Sequence, residues 1–434
     1  MATRFDPAGP LRGLLRPPAD KSISHRAALI AAMGDGETAV EGYLDAADTR
    51  STLAAVGALG AEIDGVEPGS VAPTIQIRGV GLRGAEPASV DVGNAGTLLR
   101  LLPGWLAGQE MGEWTLDGDE SIRRRPVDRI VEPLRLMGAE LSCREQRYTP
   151  LRVASAPLRG IDYEMPVASA QVKSCLLFAG LLAEGETRVV ESHPSRDHTE
   201  RMLAAAGAEV RQDGNTVSVR RAERLEPGTI VVPADFSSAA FFIVAGLLVP
   251  GSDVVLTDVG LNPTRSGLLT ILERMGAKFE VEPEGARGGE PVGRIRIRPS
   301  PLHATDVAGA EIPLAIDELP LVALAACFAE GTTTIREATE LRRKESDRIE
   351  TVATALTTLG AKVETAPDGM AIEGAGGLRG GTIDSHGDHR IAMLGAVAGL
   401  AAAGGVAVEG MDAAAVSYPS FESDLASLVS SSRG

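Results

Sequence analysis

Residues 21–33 read Lys21-Ser22-Ile23-Ser24-His25-Arg26-Ala27-Ala28-Leu29-Ile30-Ala31-Ala32-Met33. The preceding Pro17-Pro18-Ala19-Asp20 cannot be helical throughout, whereas the small-residue run from Ala27 easily can. Two cations and two hydroxyls therefore fall on the first turn of a helix, where free backbone N–H groups and the positive end of the dipole face outward. Such an end suits a phosphate or a carboxylate. Taken alone it is better described as a capped helix start with a solvated Lys21 and Arg26. The repetition of the design along the chain decides between the two descriptions.

A polar head followed by an Ala/Leu/Gly-rich run, a small-residue turn and a strand occurs six times. The heads lie near Ser22, Asn94, Ser169, Ser237, Ala315 and Asp388, at intervals of 68–78 residues. A second helix follows each strand, and the first five close on one signature: LGAEI ending at Ile63, MGAEL at Leu141, AGAEV at Val210, MGAKF at Phe279 and LGAKV at Val363. The glycine ends a helix in left-handed geometry, and the β-type run after it begins a strand. The sixth second helix, Phe421 to Val429, has no such ending. Leu11–Arg16 is expected to supply the strand that the last copy lacks. The arrangement implies an α/β chain of two similar three-unit domains, 21–232 and 1–20 plus 233–434, joined by two crossovers, with the active site in the cleft between them.

Composition narrows the function. A formal charge of −17 argues against a nucleic-acid or anionic-membrane binder. Any anion site must then be a local basic cluster. Cys143, Cys175 and Cys327 lie far apart, with neither a disulfide framework nor zinc spacing, which suits a reducing cytoplasm. His386 and His389 have only Asp388 beside them, so no metal site is expected. No apolar run reaches membrane-spanning length, and MATRFDPAGP has no signal-peptide character. Gly79-Val80-Gly81-Leu82-Arg83-Gly84 matches a dinucleotide fingerprint, but the helix that should follow is absent; it reads as a turn. No P-loop motif exists.

Polar groups also recur where second helices begin: Ile122-Arg123-Arg124-Arg125-Pro126, Ser195-Arg196-Asp197-His198 and Lys344-Glu345-Ser346-Asp347-Arg348. Directed to one cleft, these ends would gather Lys21, Arg26, Arg100, Arg125, Lys344, Arg348 and Arg390, enough for two anionic ligands. Asp317, Glu318 and Glu345 would add the acids that proton transfer needs. The competing description of Lys344–Arg348 is a solvated helical face with an i, i+4 charge pattern.

KSISHR, GNAGTLLR, RRRPV, SAQVKS, IDELP, RRKESDR and GDHRIAM, in this order, resemble the 5-enolpyruvylshikimate-3-phosphate synthase family over nearly the whole chain. The resemblance implies two inside-out α/β barrel domains, each of three repeated units with helices packed inside, joined by a double crossover. It implies transfer of the enolpyruvyl group of phosphoenolpyruvate to the 5-hydroxyl of shikimate 3-phosphate, with release of phosphate through a tetrahedral intermediate. No cofactor is implied. By motif, Lys21, Ser22, Arg26, Ser169, Gln171, Asp317 and Lys344 would bind shikimate 3-phosphate. Lys21, Asn94, Gly96, Thr97, Arg125, Gln171, Arg348 and Arg390 would hold phosphoenolpyruvate. Asp317 would accept the 5-hydroxyl proton, and Glu345 with Lys21 would exchange protons at the vinyl carbon.

The chain departs from the family pattern at Ala170, where a second serine is common, and at Val416, where many members have a lysine. Ser195 and Arg196 are candidates to compensate at the shikimate phosphate. Two rivals stand beside this reading. The sister enolpyruvyl transferase acting on UDP-N-acetylglucosamine usually carries a reactive cysteine in a loop after the second head, and Ala107–Glu113 has none. A non-catalytic anion-binding relative would not need Asp317 and Glu345. The remaining expectations are a cytoplasmic monomer with small-molecule substrates, no nucleic-acid or membrane partner, and sensitivity to glyphosate through the space left at Gly96.

Overall fold

A computed structural model of the chain describes residues 2–65 and 73–430. The described residues form six separate sheets, and none closes on itself. Each repeat contributes one sheet. In the second repeat, Ser89–Asp91 runs parallel to Glu113–Asp117, which pairs antiparallel with Tyr148–Ala154, which in turn pairs antiparallel with Glu140–Arg144. The third and fifth repeats follow the same order entirely from their own segments.

The other three sheets borrow a strand. Thr229–Val231, after the third repeat, lies parallel to Asp35–Glu41 and completes the first. Arg12–Leu15 lies parallel to Asp253–Gly260 and completes the fourth. The sixth is completed by Ala2–Phe5, antiparallel to Val406–Glu409. The expectation that Leu11–Arg16 fills the last repeat is therefore corrected. That segment stands in the fourth sheet, and a strand nearer the N-terminus closes the sixth. Both are short edge-like runs, and nothing in their side-chain pattern tells one parent sheet from the other.

Two compact units result: Ala19–Pro233 with Ala286–Glu290, and Met1–Pro18 with Ala234–Gly285 and Pro291–Gly434. Each has its own apolar core. The head helices are the core's interior. From Ile23 to Met33 every residue of the Lys21–Met33 helix is buried, and Phe236–Leu247 and His389–Leu400 are likewise buried on all sides. Helices apolar all round belong inside, which explains why these runs lack an amphipathic stripe. Asp20, Ser169, Asp235 and Asp388 cap four of them by accepting backbone N–H bonds. Close packing needs small residues: a side chain at Gly104 would meet the Cys175 carbonyl at 2.0 Å, where the Gly96–Ala107 and Ala170–Gly180 helices touch.

The five signature glycines, Gly60, Gly138, Gly207, Gly276 and Gly360, have φ between +90° and +103°, the left-handed geometry read from the sequence. Gly207 isolates this effect, because a methyl group there would meet nothing within 4 Å. Gly207→Ala is expected to cost about 1 kcal/mol through the backbone alone. Both tryptophans of the chain, Trp105 and Trp114, belong to the same unit as Gly207. Urea unfolding followed by their fluorescence measures the cost there, and an unchanged midpoint would refute it.

Among the described residues, no helix is long and apolar enough to cross a membrane.

Candidate active site

The residues singled out in the sequence fall into two groups, one in each unit. In the Ala19–Pro233 unit, hydrogen bonds join Arg125 to Asn94 and Gln171 to Thr97, on either side of Gly96. Arg125 Nη2 donates to Asn94 Oδ1 at 2.8 Å, and Asn94 Nδ2 donates to Asp119 Oδ2 at 2.7 Å. Gln171 Nε2 donates to Thr97 Oγ1 at 3.2 Å, linking the second and third heads. Arg100 and Arg125 are both buried, and a Cβ built on Gly96 would stand 2.9 Å from the Nη1 of each. The glycine therefore keeps open a spot at which two guanidinium groups converge, and backbone N–H groups of the helix start lie beside it.

Gly96→Ala should push these flexible guanidinium ends away from that spot. An approximately tenfold rise in the Michaelis constant for an anionic substrate bound there is expected, equivalent to about 1.4 kcal/mol. Steady-state kinetics with each substrate varied in turn checks it; equal changes for both substrates would oppose a local effect.

The RRRP segment does not open the second helix of its repeat, as the sequence suggested. It ends a short helix, Glu120–Arg124, before a new helix begins at Asp128. Exposed Arg123 and Arg124 pair with Asp117 and Glu120, while Arg125 alone turns inward.

Lys21 pairs with Asp48, Nζ to Oδ2 at 3.1 Å. Arg26 is buried and donates to Thr199 Oγ1 at 2.7 Å, Ser174 Oγ at 2.9 Å and the Ser22 carbonyl at 2.9 Å. Burial lowers its guanidinium to about 10. Every hydrogen-bond partner of this cation is neutral, an arrangement that leaves its charge for a ligand. Ser169 caps its helix through the Val172 N–H at 3.5 Å, and Ala170 is the first helical residue. The Ser195 hydroxyl donates to Glu191 and Lys173 Nζ reaches the Ser195 carbonyl at 3.3 Å, so this hydroxyl is already engaged inside the protein.

In the other unit, Asp317, Lys344, Glu345, Arg348 and Arg390 come together. Asp317 Oδ1 lies 3.2 Å from Lys344 Nζ and 3.3 Å from Arg348 Nη1, and its Oδ2 lies 3.9 Å from Arg390 Nη2. Arg348 also holds Glu345 at 2.5 Å and Asp388 at 2.8 Å. Burial opposes charge on Arg348, but Asp388, Glu345 and Asp317 together raise its guanidinium well above the usual range. Burial likewise opposes ionisation of Asp388, and Arg348 overcomes it to hold that carboxyl below its ordinary value. Lys344 and Glu345 precede the helix, which begins at Arg348 with Asp347 as its cap. The solvated i, i+4 face weighed in the sequence is therefore not formed. Arg390 donates to the Asp317 carbonyl at 3.1 Å and to Ser237 Oγ at 2.8 Å. Val416 lies half-buried in a short 3₁₀ segment, Met411–Val416.

Several partners escaped the sequence reading. Arg265 is one: its Nη1 donates to both oxygens of Glu318, an acid the sequence had grouped with Asp317 and which is fully buried, at 3.0–3.1 Å. Lys173 stands between Glu191 and Glu200 at 2.7 and 2.6 Å. A lysine inside the apolar run SAQVKSCLLF was the available signal, since a buried ammonium needs carboxylates. Asp197, His198 and Glu290 bring donor atoms within 4.8 Å of one another; His198 Nδ1 bonds Glu290 at 2.8 Å, and Asp197 pairs with Arg201 at 2.9 Å.

Comparisons with known proteins identify the family. The family model described as EPSP synthase (3-phosphoshikimate 1-carboxyvinyltransferase) matches residues 5–425. The chain is 52% identical over 428 residues to a 3-phosphoshikimate 1-carboxyvinyltransferase of Gloeobacter violaceus, covering 98% of each chain. It is 50% identical over 418 residues to that of Methylococcus capsulatus, covering 96% of this chain and 94% of the relative. A solved EPSP synthase of Acinetobacter baumannii superposes with a TM-score of 0.86 at 42% identity, covering 98% of both chains. The six-repeat α/β architecture, the ordered motifs and these matches place the chain in the EPSP synthase family.

Proposed function

We infer that the chain transfers the enolpyruvyl group of phosphoenolpyruvate to the 5-hydroxyl of shikimate 3-phosphate and releases phosphate, a step of aromatic amino-acid biosynthesis. The observation that carries this reading is Asp317 facing Lys344, Arg348 and Arg390 within 3.9 Å. A proton acceptor set among cations fits a reaction in which a hydroxyl must lose its proton beside an anionic second substrate.

The family's motifs, matched residue by residue, supply the roles proposed here. Arg26, Ser22, Ser169, Gln171 and Lys344 bind shikimate 3-phosphate. Asn94, Gly96, Thr97, Gln171, Arg125, Arg348 and Arg390 hold phosphoenolpyruvate, with guanidinium groups suited to bidentate pairing. Lys21 touches both. Asp317 takes the 5-hydroxyl proton as the oxygen attacks C2 of phosphoenolpyruvate. Glu345 and Lys21 deliver a proton to C3 and recover one as the C–O bond to phosphate breaks. The small-molecule reaction runs in the cytoplasm on a monomer without a cofactor. The space at Gly96 admits glyphosate.

Phosphate release from the two substrates tests the reading, with UDP-N-acetylglucosamine as the alternative acceptor. Release with shikimate 3-phosphate alone is expected. Tight binding of both ligands without release would favour a binding protein, and release only with the nucleotide sugar would favour the sister enzyme. A scattering profile that contracts when shikimate 3-phosphate and glyphosate are added is expected on closure; an unchanged profile would oppose it.

A further inference from the structure

Lys21 and His25 are one turn apart on the Lys21–Met33 helix, and Asp48 and Thr52 are one turn apart on the Ala47–Ala58 helix. The two helices pack together, so these i, i+4 pairs meet as two rungs. The upper rung is Lys21 Nζ to Asp48 Oδ2 at 3.1 Å. The lower is His25 Nδ1 with Thr52 Oγ1 at 2.6 Å. His25 and Thr52 are fully buried, and burial takes the imidazole down to about 3, so the lower rung is a neutral bond that does not titrate at working pH. It fixes the register of the two helices directly beneath the Lys21 ammonium.

We propose that Asp48 is a positioning residue: with the His25–Thr52 rung below it, it holds the Lys21 ammonium in the pose that proton exchange at the vinyl carbon requires. This rests on the role of Lys21 given above. The side chains of Lys21 and Asp48 remain 19% and 9% exposed, so the pair lies at the rim of the core, where a ligand reaches the ammonium. Other charged groups on the elements packed against this helix already have engagements. Asp20 caps the helix through Ile23 N–H. Asp45 binds Arg50. Glu200 pairs with Lys173 and Asp197 with Arg201. Arg78 bridges Glu37 and Glu62. Arg26 and Arg100 are cations and repel the ammonium. Asp48 is the carboxylate that the fold brings to Lys21.

The Asp48→Asn variant keeps the side-chain shape and removes the charge. We expect kcat to fall about 30-fold, as for a reacting group displaced by a fraction of an ångström. Both Michaelis constants should stay within about threefold, and the solvent deuterium isotope effect on kcat should rise as proton transfer becomes limiting. Asp48→Glu should restore most of the rate. Thr52→Val, which breaks the lower rung, should give an intermediate loss with the same isotope signature. A loss in Asp48→Asn that leaves the isotope effect at its native size, or that Asp48→Glu fails to relieve, would overturn the proposal. Ammonium-selected NMR provides a readout independent of turnover. The Lys21 signal, assigned by its absence in Lys21→Arg, should be present in the native chain and lost in Asp48→Asn; persistence in that variant would also overturn it. If the native chain releases no phosphate, the functional reading fails while the ammonium signal still decides this inference.

Discussion

Replacing Asp317 by Asn is expected to lower the turnover number for phosphate release about 1,000-fold, with both Michaelis constants within about threefold of native. The substitution keeps the carbonyl oxygen that faces Lys344 and Arg348 at 3.2 and 3.3 Å, so the local frame survives. What is lost, on the role proposed above, is the capacity to take a proton from the 5-hydroxyl. The Asp317 carboxylate faces Lys344, Arg348 and Arg390. On the roles proposed above, the phosphate of one substrate would compete for Lys344, and the anionic groups of the other for Arg348 and Arg390. Binding both would draw cations away from Asp317 and free it to act as a base. Single-turnover measurements with saturating substrates separate this chemical step from release of products. A residual rate within tenfold of native would mean that another group removes the proton, and Glu345, held by Arg348 at 2.5 Å, would be the next to examine.

The parts of this structure legible in the sequence are those set by local rules. The six heads and the five glycine signatures follow from helical period and helix termination, each confined to about a dozen residues. The recurrence of the pattern revealed the two-half α/β plan before any pairing was known. Strand exchange was not legible. Ala2–Phe5, Arg12–Leu15 and Thr229–Val231 are three or four residues long, and their partners lie some 200 to 400 residues away. Such short runs carry too little alternation to select a sheet. Among the candidate residues, those in polar heads were legible because a charged side chain at the start of an apolar helix is conspicuous. Asp48, Glu191, Glu200 and Arg265 were missed because their function depends on which distant cation or carboxylate they meet. The triple arginine misled for a related reason. Charge alone did not reveal that Arg123 and Arg124 answer to local carboxylates while Arg125 reaches Asn94.

Lys173→Met is expected to destabilise the Ala19–Pro233 unit by about 3–5 kcal/mol, the largest loss of stability that we anticipate from a single change. The side chains of Lys173, Glu191 and Glu200 are at most 7% exposed. Removing the ammonium leaves two carboxylates in a low-dielectric interior with no cation between them. The ionisation of the lysine points the same way. Burial alone would lower it, yet Glu200 and Glu191 outweigh burial and hold the ammonium above its ordinary value. A folded-state value above the unfolded one gives a contribution that is complete below about pH 10 and is lost only as the pH climbs through the folded value. At pH 8 the deficit should therefore appear in full. Urea unfolding followed by Trp105 and Trp114 reads this unit alone, because both indoles lie in it. The triple variant Lys173→Met, Glu191→Gln, Glu200→Gln should recover most of the loss, since a neutral set no longer strands charge. If the triple variant is no more stable than Lys173→Met, the loss comes from the cavity and packing around the lysine stem and not from the unpaired carboxylates. That result would also loosen the account of Ser195, whose backbone carbonyl accepts from the same ammonium at 3.3 Å.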